Sequence, residues 1–196
     1  MEAIKHPLPS VPGAYTSVST VAWPALLDII EGTQDLTTIF NRPFILYLCG
    51  GSDRPGSLRE QLEPHGIDVI TLDINESSGS TLDERWGLLS SRVYRTILRL
   101  AHLARCIGCL CTPPCRTFSA ANHAGGNGPP PYRDILRRFG IPGQGVVDGL
   151  LPTRVEGDNE LVVRCIALAC ICHVRGAFFL FENPVARGHG KPSYMR

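Results

Sequence analysis

FILYLCGGSDRPGS, residues 44–57, carries the reading of the fold. Phe44 to Cys49 is a continuous apolar run bounded by Pro43 and Gly50, the pattern of a strand buried on both faces of a parallel sheet. A glycine-rich turn follows, where backbone without a β-carbon can approach a ligand closely or simply reverse direction. A short helix is expected from about Leu58 to Pro64, then a second strand, Ile67 to Leu72, closed by Asp73. This is a strand, helix, strand unit.

The pattern continues outward from that unit. Between Asp83 and Leu103, Trp86, Leu89, Val93, Ile97 and Leu100 recur at helical spacing and lead into an apolar strand, Ile107 to Cys111. A long Gly/Pro-rich excursion, roughly 120 to 157, precedes an expected helix from Asn159 to Val174 and a strand from Ala177 to Phe181. Upstream, residues 1–20 hold Pro7, Pro9, Pro12 and Gly13 and read as an arm, followed by a short helix from Val21 to Glu31. The organisation is therefore an arm with a short helix over 1–40 and one α/β domain over 41–196. Its sheet is expected to be mostly parallel, with ligands at the carboxyl ends of the strands.

Composition narrows the class. A chain of 196 residues, 43% of them hydrophobic, can bury one core. Its 19 basic and 18 acidic residues give a net charge of +1, so no global field draws in a polyanion, although a local basic face is compatible with these numbers. Eight cysteines with no signal-peptide pattern at Met1–Pro7 point to reduced thiols and an intracellular protein, nuclear if eukaryotic. No apolar run reaches the roughly 18 residues of a membrane span. The nearest, 161–181, is interrupted by Arg164, His173 and Arg175.

Three motifs fall at expected strand ends: GGSDRPG after the first strand, TPPC after the third and ENP after the last. Asp73 closes the second strand, where a nucleotide fold places an acid against ribose hydroxyls; a solvated aspartate has the same sequence signature. Cys106, Cys109 and Cys111 read as core residues of a buried strand rather than zinc ligands, because no second ligand pair has matching spacing. Cys115 differs, since Pro113 and Pro114 end the strand before it and Arg116 adjoins it. The residues alone leave Cys115 open between a nucleophile and one more small apolar side chain. They leave Glu182 open between a site acid and a surface acid, and Arg133, Arg137, Arg138, Arg154 and Arg187 between phosphate contacts and a solvated face. His123 and His189 have no assigned role.

TPPCRTFS, residues 112–119, resembles the Pro-Cys motif of the cytosine C5 methyltransferases, and FENP, 181–184, resembles their Glu-Asn-Val motif. The order agrees: glycine-rich turn, acid, Pro-Cys, Glu-Asn. The longer combination of TPPCRTFSAANHAGGNGPPPYRD, DNELVVRCIALA and FFLFENP is similar to short methyltransferase-like domains carried by mobile elements. The likeness covers about residues 44 to 196. It implies a Rossmann-like class I methyltransferase sheet, S-adenosyl-L-methionine as cofactor and nucleic acid as substrate, DNA before RNA, with the base extruded from its stack. It further implies Cys115 as the nucleophile at C6, and Glu182 as the acid at N3. Gly50, Gly51 and Gly56 would lie beside the methionine part of the cofactor, Asp73 on its ribose and Pro113 beside the methyl group. Pro114, Arg116, Phe118, Ser119 and Asn183 would lie on the substrate side.

The chain departs from that pattern at Arg116, where Gln is usual, at Pro184, where Val is usual, and in the length of the glycine-rich turn. It closes at Lys-Pro-Ser-Tyr-Met-Arg soon after ENP. The sheet is accordingly expected to be truncated at its C-terminal end, with an edge strand that a partner chain or a missing segment completes. A mobile-element-derived pseudoenzyme that binds cofactor or nucleic acid without turnover is the alternative expectation. Amino-group methylation would place an aromatic residue after the two prolines, where this chain has Cys115.

Overall fold

Among the described residues four strands form one all-parallel sheet in the order β2-β1-β3-β4. The computed structural model describes Val18 and residues 23–50, 55–72, 87–113 and 151–182. The strands are β1 (Phe44–Leu48), β2 (Asp68–Leu72), β3 (Cys106–Cys111) and β4 (Phe178–Phe181); the helices are α1 (Trp23–Gly32), α2 (Leu58–Leu62), α3 (Ser91–Ala101) and α4 (Leu151–Val174). The expected mostly parallel α/β sheet is present, and the order is compatible with a Rossmann-like fold. Among the described residues no helix is long and apolar enough to cross a membrane.

Alternation along the strands divides the sheet into two faces. Phe44, Leu46, Leu48, Ile70, Leu72, Cys109 and Cys111 lie on one face and join a single core with Leu27 and Ile30 of α1, Ile97 and Leu100 of α3, and Leu161, Cys165 and Leu168 of α4. Ile45 and Val69, on the opposite face, are also buried. The apolar stripe of α3, Val93, Thr96, Ile97, Leu100 and Ala101, has the i, i+3, i+4, i+7 spacing that turns one side of a helix to a core. Arg92 on its outer side holds α1 through Glu31 and Asp28, and Arg99 donates to the carbonyls of Ile30, in the last turn of α1, and of Thr33, just after it. The last carbonyls of a helix lack i+4 donors, and the guanidinium adds one there, beside the Thr33 N–H that the Ile30 carbonyl also accepts at 3.4 Å.

Two element boundaries correct the sequence expectation. α4 begins at Leu151, inside the stretch expected to be irregular through 157. Pro152 sits in its first turn, where a missing N–H costs nothing, and Gly157 is tolerated within the helix with Leu89 packed close to it. α3 begins at Ser91 rather than Asp83; Ser90 donates its N–H to the carbonyl of Gly87 in a turn before the helix, and residues 83–86 lie outside the described residues. The other elements lie within a residue or two of their expected positions.

One buried ion pair ties the start of β2 to the chain before β1. Asp68 is 2% exposed; its carboxylate lies 3.2 Å from Nη1 of Arg42 and accepts the N–H of Val18 at 3.3 Å. Arg42 also donates to the carbonyls of Glu63 and Gly66, which lock the turn entering β2. An ionised carboxylate in such a place requires this pairing.

Candidate functional site

The strand order reverses between β1 and β3, because the chain moves from β1 outward to β2 and then crosses to β3 and β4. Open α/β sheets bind ligands in the crevice at the carboxyl ends of two such strands. Here the strand ends are in register: Leu48 pairs with Leu72 on one side and Cys111 on the other, and Cys111 pairs with Phe181. Gly50, Pro113 and Glu182 therefore follow their strands at one edge of the sheet. Glu182 is exposed, and its N–H donates to the carbonyl of Cys111 at 2.8 Å. Pro113 is buried. Cys115, Gly51, Asp73, Pro114, Arg116, Phe118, Ser119 and Asn183 lie outside the described residues, as do the possible phosphate contacts Arg133, Arg137, Arg138 and Arg187; Arg154 is in the first turn of α4.

Thr112 links the chain just after β3 to the chain just after β1. Its N–H donates to the Leu48 carbonyl at 3.0 Å, which extends the β1–β3 ladder by one step. Its hydroxyl donates to the Cys49 carbonyl at 2.6 Å. Cys49 has a φ of 60°, the one described non-glycine residue in the left-handed region. That conformation costs a side-chain-bearing residue about 1–2 kcal/mol, so surrounding contacts must hold it. The Cys49 N–H to Leu72 carbonyl bond at 2.6 Å supplies a second hold. Sequence reasoning placed Thr112 inside a motif without giving it a role. Its only local signal is that it is the first hydroxyl-bearing residue after an apolar strand.

The two described glycines of the turn have internal reasons to be glycine. A β-carbon on Gly50 would come within 2.6 Å of the Tyr47 ring. Gly56 has a φ of +80°, and its N–H donates to the Glu60 carboxylate at 2.7 Å. Ser57 caps α2 by accepting the N–H of Glu60, so Ser57 and Glu60 form a variant of the capping box in which the acid reaches one residue further back. Gly56 therefore shapes the turn, and its N–H is committed to the helix entry.

Behind the crevice, β3 and α4 enclose a network of thiols. Cys106, Cys109, Cys111, Cys165 and Cys172 are buried and free, which agrees with reading the β3 cysteines as core. The sulfurs of Cys109 and Cys111 are 3.4 Å apart, and the Cys111 thiol points to the Cys165 carbonyl at 3.8 Å. Hydrogen bonding to Cys172, then burial, pushes the Cys106 thiol up; hydrogen bonding to Cys109, then burial, does the same to Cys111. Cys172 accepts from Cys106 and Cys109 and is pulled down. Thiols held protonated inside a core are poor nucleophiles, so these β3 cysteines serve packing.

No protein-family model, curated protein or solved structure matches the chain. The α/β architecture thus stands on strand order and pairing alone.

Proposed function

We propose that this chain is an S-adenosyl-L-methionine-dependent methyltransferase domain acting on C5 of cytosine in nucleic acid, DNA in preference to RNA, through a covalent Cys115 adduct. The observation that carries the reading is the register of the strand ends: the glycine-rich turn, TPPC and FENP, far apart in sequence, follow three adjacent parallel strands at one sheet edge, at the point where strand order reverses. The residues of that edge suit the cofactor at Gly50 and Pro113, with Gly51 and Asp73 completing the set from the chain next to β1 and β2. Gly56 is assigned a shaping role, because Glu60 already holds its N–H.

S-adenosyl-L-methionine would supply an electrophilic methyl group. The rest is the work of the chain. The Cys115 thiolate adds to C6 of the extruded cytosine, and the displaced electron pair accumulates at C5. Glu182 hydrogen-bonds N3, which makes C6 more electrophilic and favours the addition. Once C5 carries the methyl group it loses its proton, the C5–C6 double bond reforms, and the Cys115 sulfur leaves with the electron pair of its bond to C6. Pro113, which is buried, would lie beside the transferred methyl group.

A second reading keeps the fold without turnover: a mobile-element-derived module that binds cofactor or nucleic acid. It is favoured by one observation, that Tyr47 and Glu60 already account for Gly50 and Gly56 without a ligand. The two readings separate in a trapping experiment on DNA containing 5-fluorocytosine, in which the fluorine cannot leave as a proton does. With cofactor present the wild-type chain should form a denaturation-resistant adduct, and Cys115→Ser should form none. An adduct that persists in Cys115→Ser removes Cys115 as nucleophile. Saturable cofactor binding by a folded chain that never traps DNA selects the pseudoenzyme.

A further inference from the structure

The sulfurs between β3 and α4 form a chain that ends at the turn after β1. Those of Cys109 and Cys111 are 3.4 Å apart, the Cys111 thiol points to the Cys165 carbonyl at 3.8 Å, and the Cys165 sulfur accepts a hydrogen bond from the Cys49 thiol. Cys165 is wholly buried in α4, whereas Cys49 packs against the core and is partly exposed. Cys49 is thus the member of this chain open to solvent. It also holds a φ of 60°, a conformation that glycine adopts at less cost. A thiol kept at such a place, against a second thiol from another element, points to chemistry of the side chain rather than to backbone shape.

We propose that Cys49 and Cys165 form a reversible, peroxide-driven disulfide that joins the turn after β1 to α4 and regulates the site which that turn borders. The regulation rests on the methyltransferase reading; the bond itself does not. Hydrogen peroxide is the oxidant. The Cys49 sulfur bonds one of its oxygens, the O–O bond breaks, and the second oxygen leaves as water with the thiol proton. The Cys165 sulfur then displaces the hydroxyl of the Cys49 sulfenic acid, which departs as water with the Cys165 proton as the S–S bond forms. The two thiols lose two electrons together, and the peroxide is reduced to two waters. Hydrogen bonding to Cys111, then burial, keeps Cys165 protonated and slow towards a free oxidant, while contact with Cys49 makes it the resolving thiol. A disulfide of about 2 Å is shorter than any thiol–thiol hydrogen bond, so bridging draws Cys49 towards α4. The Thr112 hydroxyl holds the Cys49 carbonyl and the Leu72 carbonyl holds its N–H, both at 2.6 Å. These bonds lengthen as the bridge closes, which loosens the turn at Gly50.

Treating the full chain with a small excess of hydrogen peroxide, blocking the remaining thiols and mapping disulfides by mass spectrometry tests the bond without any cofactor. A Cys49–Cys165 bridge that dithiothreitol reverses is expected in the wild type, a result that needs no variant. In Cys49→Ser, Cys165 should stay reduced; in Cys165→Ala, Cys49 should accumulate as a sulfenic acid that dimedone traps. Amide exchange at Gly50 should be faster in the bridged than in the reduced protein, and the dissociation constant for S-adenosyl-L-methionine at least tenfold higher. A map in which Cys49 bridges Cys115 or any other cysteine, or is oxidised without a bridge, overturns the proposal. So does a bridged form whose Gly50 exchange and cofactor affinity equal those of the reduced form. Reduced protein that binds no cofactor removes the methyltransferase reading instead, and the bridge is then judged by the map and by Gly50 exchange.

Discussion

Replacing Thr112 with valine removes one hydroxyl and almost no volume, and the structure predicts where the loss is felt. The hydroxyl donates at 2.6 Å to the carbonyl of Cys49, the residue held at a φ of 60°. A net contribution of about 0.5–1.5 kcal/mol is usual for such a bond, and about 1–3 kcal/mol where a buried acceptor is left unpaired. Thr112 is partly buried, so a loss of about 1–2 kcal/mol is expected. For a domain of this size that is about 2–8 °C in Tm, at about 2–4 °C per kcal/mol. Thr112→Ser keeps the donor and should recover most of the loss. The functional consequence lies on the other side of the bond, because the Cys49 carbonyl anchors the turn at Gly50. Calorimetric titration with S-adenosyl-L-methionine should show weaker binding by Thr112→Val than by Thr112→Ser. Amide exchange at Gly50, measured without ligand, should be faster in the valine variant alone. Valine and serine variants that are indistinguishable in Tm and in Gly50 exchange would refute the claim that this hydroxyl positions the turn.

Asp68→Ala should destabilise the chain by about 3 kcal/mol, since it strands Arg42, 17% exposed, without its buried carboxylate; chemical denaturation checks this, and a loss below about 1 kcal/mol would show that water replaces the partner. Hydrogen bonding from Arg92 holds the Glu31 carboxyl below the usual carboxylate range. Its folded-state pKa is depressed, so its contribution is present above the unfolded value and disappears as pH falls through the folded one. The Tm difference between wild type and Glu31→Gln should therefore be seen at neutral pH, diminish on acidification and vanish below the folded-state pKa; a difference that does not change with pH contradicts the pairing.

Most of the architecture was legible because it rests on short-range pattern. β1, β2 and β3 are apolar runs closed by Gly50, Asp73 and Pro113, and a strand covered on both faces leaves that signature. α3 was legible in its phase but not in its start, since Leu89 fits the helical spacing from a turn. The first turns of α4 were hidden by Pro152 and Gly157, residues that usually end helices and here sit where a helix accepts them. β4 was legible as a strand, yet nothing in FFLF distinguishes a central strand from an edge strand.

The amino-acid sequence by itself determined the alternation of strands and helices, the reduced thiols that pack as core, and the placing of three motifs immediately after strands. All of these are properties of neighbours along the chain, where spacing and hydropathy act directly. Only the tertiary structure decided the strand order that brings Gly50 and Pro113 to the same end of two adjacent strands, the Thr112 bond that links those ends, the commitment of the Gly56 N–H to Glu60, and the apolar edge left on β4 and α4. The cross-strand contacts join residues tens of positions apart, the Gly56 bond depends on a side-chain rotamer, and exposure at an edge is a property of what fails to pack there. None of these is encoded in the spacing of residue types along the chain.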